Sequence, residues 1–280
     1  MIYAINYANE KYKEAQKLNS FSLKKIGKAD VVYAFSPADI DLDFRHKYSD
    51  ILNQKIGNGF WLWKPYFVNR VFKEMQDGDY LFYLDSAALC LKNLKILREY
   101  MENNGKDILC FETPFLEINW TKDTVYRKFS EKNDGMFQIE ATYFMLKKTE
   151  QTNCLVESWL EFAKTKEYID NSNTYLPCIE HRNDQSLLSL VCRNTGIEPI
   201  CSISDRYFYY TISKYYNCYY LKNTAKYYAD IYYKKHETDR LGWIIFCHHF
   251  GDSGFRLYFN ILKKYVKSQW LYLKSLKYLR

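Results

Sequence analysis

Asp77-Gly78-Asp79-Tyr80-Leu81-Phe82-Tyr83-Leu84-Asp85-Ser86-Ala87 is the stretch that decides the fold. Asp-Gly-Asp marks a turn, and the five apolar residues after it carry no polar break. That pattern predicts a strand over Tyr80–Leu84 covered on both faces. The run stops on a carboxylate. A charge at the end of a buried strand is costly unless something pairs with it. Asp85 is therefore either a turn or helix-capping residue or a group that faces a ligand. In parallel sheets covered by helices, ligands lie beyond the carboxyl ends of the strands.

Working outward, residues 2–8 and 31–35 read as two further strands, with a helix over Lys11–Ile26 between them that Gly27 ends. Helical spacing returns over Phe67–Met75, Leu94–Asn103, Leu155–Lys166 and Gln185–Asn194. Strands are expected over Ile108–Glu112, Gln138–Leu146 and Ile200–Ser204. Strands alternating with helices predict an α/β fold with a mainly parallel sheet flanked by helices. No internal repeat or low-complexity linker appears. The division expected is one catalytic domain over residues 1–254 and a basic, aromatic-rich helical extension over 255–280.

Composition bounds the function. The 280 residues include 28 Tyr and 18 Phe but only 10 Gly and 5 Pro, so a large core can be buried and a disordered chain is not expected. The net charge is +7, and no acidic residue follows Asp252, whereas seven Lys or Arg lie between Phe255 and Arg280. Such a tail points to an anionic surface. None of the eight cysteines has CxxC spacing, which argues against a zinc or thioredoxin-type motif. With no secretory signal read at the start, the thiols are expected to be reduced and mostly buried in a cytoplasmic protein. No apolar window is long enough to span a membrane.

Four constellations carry chemistry. Gly57-Asn58-Gly59-Phe60-Trp61-Leu62-Trp63-Lys64-Pro65-Tyr66 joins glycines that permit positive φ to a helix start at Pro65, where Lys64 could meet a phosphate; core tryptophans beside a solvated lysine are the plain alternative. Tyr83-Leu84-Asp85-Ser86-Ala87 is a truncated Asp-x-Asp, the paired carboxylates that grip a divalent cation. Glu180-His181-Arg182-Asn183-Asp184-Gln185-Ser186 is more polar than a helix cap requires. Cys247-His248-His249-Phe250-Gly251 sets histidines, as metal ligands or as hydrogen-bonded structural groups, beside a glycine-rich turn.

In this order the segments Gly59-Phe60-Trp61-Leu62-Trp63-Lys64-Pro65, Tyr83-Leu84-Asp85-Ser86-Ala87 and His181-Arg182-Asn183-Asp184-Gln185-Ser186-Leu187-Leu188 resemble bacterial capsular and lipopolysaccharide glycosyltransferases of GT-A type. More distantly, the chain resembles the glycogenin and lipopolysaccharide-galactosyltransferase type over roughly residues 1–255. The resemblance implies transfer of a sugar from a nucleotide-diphosphate sugar, UDP-sugar favoured, to a bacterial surface glycan, with retention of configuration. It implies a nucleoside pocket at Ala4, Asn6 and Tyr7, Lys64 near the diphosphate, and donor contacts at Asp85, Ser86, Ala87 and Ala141. Asp184, Gln185 and Glu140 take the catalytic places. Asp85 and His248, with Gly251, would hold Mn2+ or Mg2+. The chain departs from the pattern at Ala87, which replaces the second carboxylate, and at Glu140 and Thr142. A metal-independent mechanism therefore stays open.

On a helical wheel, Arg256, Lys263, Lys267, Lys274 and Lys277 share one direction, and Tyr258, Ile261, Leu262, Tyr265, Tyr272, Leu276 and Leu279 the opposite one, with Trp270 between. This is the make-up of an interfacial helix on an anionic membrane, here the inner face of the cytoplasmic membrane. The alternative is a terminal helix packed on the domain. Two rival functions remain: a non-catalytic membrane-associated scaffold, suggested by Ala87, and a nucleic-acid binder using the eleven Tyr between Arg206 and Lys235. The expected partners are the donor, a glycan or lipid-linked acceptor and the membrane, not nucleic acid.

Overall fold

The computed structural model describes residues 1–129, 135–206 and 222–275. Ile2–Tyr7 (β1), Val31–Phe35 (β2) and Tyr80–Leu84 (β3) lie side by side in parallel, with β1 in the middle. Ala88–Cys90 (β4) follows β3 after a tight turn. Ile108–Leu109 (β5), Phe111–Leu116 (β6), Phe137–Ile139 (β7), Tyr143–Lys147 (β8), Ile200–Cys201 (β9) and Ile245–Cys247 (β10) complete the strands among the described residues. The central sheet has the order β2-β1-β3-β8-β5. Only β8 runs against the others, so the sheet is mainly parallel, as expected. Two small sheets, β7-β6-β9 and β10-β4, flank it.

The longer helices are Lys13–Lys25 (α1), Trp63–Glu74 (α2), Lys95–Asn103 (α3), Glu150–Ala163 (α4), Asp184–Asn194 (α5), Lys222–Lys235 (α6) and Gly254–Ser275 (α7). Side chains alternate across a strand, and β1 and β3 feed two cores. Ile5, Tyr7, Leu81 and Tyr83 face α2, α4 and α5. Ile2, Ala4, Tyr80, Phe82 and Leu84 face α1 and α3. Every residue of β3 is buried, as its apolar run predicts, and each such large side chain contributes roughly 1.5–3 kcal/mol of burial.

The structure departs from the sequence reading in places that matter. Gln138–Leu146 is not one strand. It is split into β7 and β8, which belong to different sheets, and Glu140-Ala141-Thr142 forms the crossing between them. Helix α2 begins at Trp63 rather than Phe67, which puts Lys64 and Pro65 in its first turn.

Helix α6 is tied to β6 by charge. The carboxylate of Glu112, fully buried, takes bonds from Lys235, from His236 Nε2 at 2.8 Å and from Arg193. Burial would push its pKa up, but the hydrogen bond from His236 and the Arg193 and Lys235 charges hold it below the ordinary value. Tyr232 is buried here, and its hydroxyl donates to the Glu112 carbonyl. At least this tyrosine of the aromatic stretch is core rather than a stacking platform; residues 207–221 lie outside the described residues. The cysteines are free thiols and buried except Cys154, with Cys218 outside the described residues.

Helix α7 docks on the domain through Leu257, which is buried, Ser268, which donates to Asp205 at 2.8 Å, and Lys264, which donates to the Cys247 carbonyl, while Asn260 donates to Asp252 at 2.9 Å. Ile261 and Tyr265, expected on a free apolar side, are half-buried, and Tyr265 packs on Trp243 and Phe246. The exposed apolar stripe is Phe255, Tyr258, Phe259, Leu262, Val266, Trp270 and Leu273. It lies beside the basic flank rather than opposite it. Leu276, Lys277 and Leu279 are outside the described residues.

Candidate active site

The loop between β2 and α2 is shaped by a run of positive φ: Gly57, Asn58, Gly59, Phe60 and Trp61 all adopt it. A side chain at Gly59 would stand 2.8 Å from the Leu52 Cα, and one at Gly57 would enter the Trp61 ring. Both glycines are thus required, and the left-handed Phe60 and Trp61 mark a backbone held against its preference. The loop folds over the carboxyl end of β1. Trp63 stacks on Tyr7 with ring centroids 3.8 Å apart and donates from Nε1 to the Gly57 carbonyl at 2.9 Å. The Asn58 amide donates to the Tyr7 hydroxyl.

Beyond the ends of β1 and β3 this loop encloses a cavity of about 420 Å3, lined by Tyr7, Ala8, Asn9, Lys11, Tyr12, Lys55, Gly57, Asn58, Trp61, Trp63, Asp85, Ser86, Ala87 and His249. Ser86 closes its floor by donating to the Tyr7 carbonyl at 2.6 Å. Of the expected nucleoside contacts only Tyr7 lines it. Ala4 lies in the α1-side core with no exposure. Asn6, on the same side of β1, donates to Asn19 and Ser20; Asn19 in turn holds the β3–β4 turn through the Asp85 and Ala88 carbonyls. The alternation of a strand decides this, since Ile5 and Tyr7 point the other way.

Lys64 is not where a phosphate would meet it. Its side chain is 3 % exposed, and its ammonium lies 2.9 Å from Asp184 Oδ2 and 3.3 Å from Asp85 Oδ1 while donating to the Ala141 carbonyl at 3.0 Å. Burial opposes its charge, yet Asp184 and Asp85 outweigh burial and leave its pKa raised. Asp184 is as deeply buried. Burial pushes its carboxyl up to about 6 although Lys64 pulls the other way. Asp85 stays partly exposed on the cavity wall and accepts from the Tyr83 hydroxyl at 2.6 Å. The cations that do line the cavity are Lys11 and Lys55, which the sequence reading missed. Lys11 gave no signal, and Lys55 had only its place two residues before Gly57. Gly251 explains Lys11's approach: a side chain there would come within 3.0 Å of the Lys11 Cγ.

Neither Asn183 nor Asp184 caps α5 through its side chain. Asn183 donates to the Ile169 carbonyl and to Asn171 instead, and Asp184 faces Lys64. Gln185, the next residue, accepts from the Ala141 N–H at 3.2 Å and donates to Gln138 at 2.6 Å, so it ties the β7–β8 crossing to α5. Glu140 has no exposure and pairs with Arg206 at 2.7 Å. Burial raises its pKa, with Arg206 opposing. Asp184, Glu140 and Ala141 thus stand behind the walls, while Asp85, Ser86, Ala87 and Gln185 reach cavity surfaces.

The expected histidine is replaced by its neighbour. His248 is buried, accepts from the Phe250 N–H at Nδ1 and has its pKa lowered to about 4, by burial first and Lys264 second, so it is neutral at pH 7. His249, with φ of 63°, turns out to the cavity. A divalent cation does not fit these residues. Among the described residues no group of three His, Cys, Asp or Glu is placed to hold one, Ala87 supplies no carboxylate, and the Lys64 ammonium already stands between Asp85 and Asp184, where it would repel a dication.

A second cavity, of about 740 Å3, shares His249 with the first. It has an apolar floor at Phe115, Trp120, Phe250 and Leu271 and a wall from α7.

No protein-family model matches the chain, and no curated protein matches it. Among solved structures it is similar to the galactosyltransferase LgtC in complex with donor and acceptor sugar analogs, at 13% identity over 88% of this chain and 86% of that one, with a TM-score of 0.49. It is also similar to mouse xyloside xylosyltransferase 1 in its apo form, at 9% identity over 89% and 98%, again with a TM-score of 0.49.

Proposed function

We propose that this chain is a glycosyltransferase that moves a sugar from a nucleotide-diphosphate sugar, UDP-sugar favoured, to a bacterial surface glycan such as lipopolysaccharide, lipooligosaccharide or capsule. The observation that carries the reading is the first cavity. Stacked and adjacent aromatic rings, two lysines with no ion pair to a carboxylate among the described residues and one partly exposed carboxylate converge beyond the carboxyl ends of the parallel strands. Aromatic walls suit a nucleoside, and Lys11 and Lys55 suit its diphosphate.

In the reaction the bond from the anomeric carbon to the diphosphate oxygen breaks, a bond to an acceptor hydroxyl oxygen forms, and the proton of that hydroxyl passes to the departing diphosphate. Charge grows on the departing diphosphate, where Lys11 and Lys55 stabilise it. Asp85 faces the positive charge that develops at the anomeric carbon. Asp184 acts through Lys64, whose ammonium holds Asp85 in place, and Gln185 faces the acceptor side. No step passes through a metal.

Membrane attachment belongs to the same proposal. Helix α7, 22 residues and about 33 Å long, exposes an apolar stripe edged by Arg256, Lys263, Lys267 and Lys274, which suits in-plane attachment to the anionic inner face of the cytoplasmic membrane. No helix among the described residues is long and apolar enough to cross a membrane.

The test is a thermal-shift panel of nucleotide-sugars and free nucleoside diphosphates, with manganese and with chelator. A donor at about 100 times its dissociation constant should stabilise the fold by roughly 2.7 kcal/mol, equally in both media. If no nucleotide in the panel shifts melting, the transferase reading fails.

A further inference from the structure

We propose that the second cavity is an acceptor subsite for a glycan that carries a phosphate or carboxylate group; the inference rests on the transferase reading and names the class of acceptor. The lining holds five cationic side chains, Arg182, Arg206, Lys263, Lys264 and Lys267, against a single carboxylate, Asp205. That carboxylate is already occupied. It accepts from the Cys247 N–H and the Ser268 hydroxyl, each at 2.8 Å, and lies buried beneath α7.

The cations divide by what holds them. Arg206 pairs with Glu140, Arg182 pairs with Glu180 at 3.2 Å and lies over the Trp120 ring, and Lys264 donates to the Cys247 carbonyl, so these three are fixed parts of the wall. Lys263 and Lys267 are exposed and have no ion pair among the described residues. They lie four residues apart on one helix face, where like charges repel. Two unbalanced lysines at the rim of a cavity are relieved of that repulsion when an anion enters between them. The apolar floor of Phe115, Trp120, Phe250 and Leu271 suits the less polar face of a sugar ring. His249 and Gln185 set the cavity against the transfer centre: His249 lines both cavities, and Gln185 is hydrogen-bonded to the Ala141 N–H, whose carbonyl holds Lys64. An anionic group gripped by Lys263 and Lys267 therefore leaves the remainder of the acceptor directed at His249 and the donor.

The anion could belong to a soluble glycan or to a lipid-borne phosphate, and the experiment separates these. The probes are glucose 6-phosphate and glucuronic acid against glucose, titrated by calorimetry into the full chain without nucleotide, and vesicles of phosphatidylcholine with and without phosphatidic acid. The variants are Lys263→Glu/Lys267→Glu and, as a control in the first cavity, Lys55→Glu. Both substitutions are at exposed positions, and circular dichroism checks folding. Charge-assisted contacts of this kind predict at least about tenfold tighter binding of the two anionic sugars than of glucose, lost in Lys263→Glu/Lys267→Glu and kept in Lys55→Glu. If the double variant weakens sugar binding and phosphatidic acid vesicles leave glucose 6-phosphate bound to the native chain, the acceptor is soluble; if those vesicles displace the sugar phosphate, the anion is borne on a lipid. Both support the subsite. Equal binding of glucose and its phosphate, loss in Lys55→Glu only, or loss of vesicle binding with sugar-phosphate binding intact would overturn it. Because no nucleotide is present, failure here is distinct from failure of the donor panel.

Discussion

Replacing Lys64 by Met removes a buried ammonium while keeping most of the side-chain volume. At 2.9 and 3.3 Å from two carboxylate oxygens, the ammonium gains about 6 and about 5 kcal/mol of Coulomb energy in an effective dielectric of about 20, before desolvation is counted. Most of that offsets the cost of burying the charges. What the variant loses is the partner of Asp184, and leaving one member of a buried pair alone costs about 3–5 kcal/mol. For a chain of this size the melting temperature should fall by on the order of 10 °C at pH 7.5. The deficit should also depend on pH. In the native protein the Asp184 carboxyl titrates at about 6, above its unfolded value near 3.9. The folded state therefore binds that proton more tightly, and stability from this group falls as pH rises from about 4 to 6 and then levels. In the variant nothing pulls the pKa down, so the fall continues above pH 6 at up to about 1.4 kcal/mol per pH unit. The two proteins should differ more at pH 7.5 than at pH 5.5. Thermal and urea denaturation at those two values, at constant ionic strength, measures this. Equal stability at pH 7.5, or a deficit that does not change with pH, would refute the buried triad.

Asp184→Asn should keep the fold, lower turnover about a hundredfold by letting Lys64 and Asp85 shift from their places and remove the acid limb near pH 6 from the pH–rate profile; a variant that unfolds with turnover per folded molecule unchanged would reduce Asp184 to a packing group. Leu262→Asp/Val266→Asp, on the exposed stripe of α7, should abolish flotation with anionic vesicles while circular dichroism stays unchanged. Unaltered flotation, or native binding indifferent to lipid charge and salt, would remove the membrane from the proposal.

Some of this protein is written in local sequence. The apolar run of β3, the turn before it and the alternation of strands with helices point to an α/β architecture with a mainly parallel sheet, because burial on both faces leaves an unbroken apolar signature. Gly57 and Gly59 announce a left-handed loop, and Pro65 a helix start, because backbone geometry is set by the residue itself. The polar run around Asp184 is recognisable as too rich for a cap. What it pairs with is not. Lys64 sits on α2 and Asp184 on α5, far apart in the chain, and only the packing of both helices on one face of the sheet brings them within an ion pair. Tertiary structure also splits Gln138–Leu146 between two sheets, which places Glu140 and Ala141 at the crossing. It assigns Tyr7 to the cavity and Asn6 to the core side, because a pleated chain sends neighbours to opposite sides and the sequence does not say which side is open, and it brings His249 rather than His248 to the surface because the backbone turns left-handed at His249, just past β10. On α7 a wheel sorts apolar from basic residues, but which apolar stripe is buried depends on where the helix rests, and that is decided by Asp205, Trp243 and Phe246 beneath it.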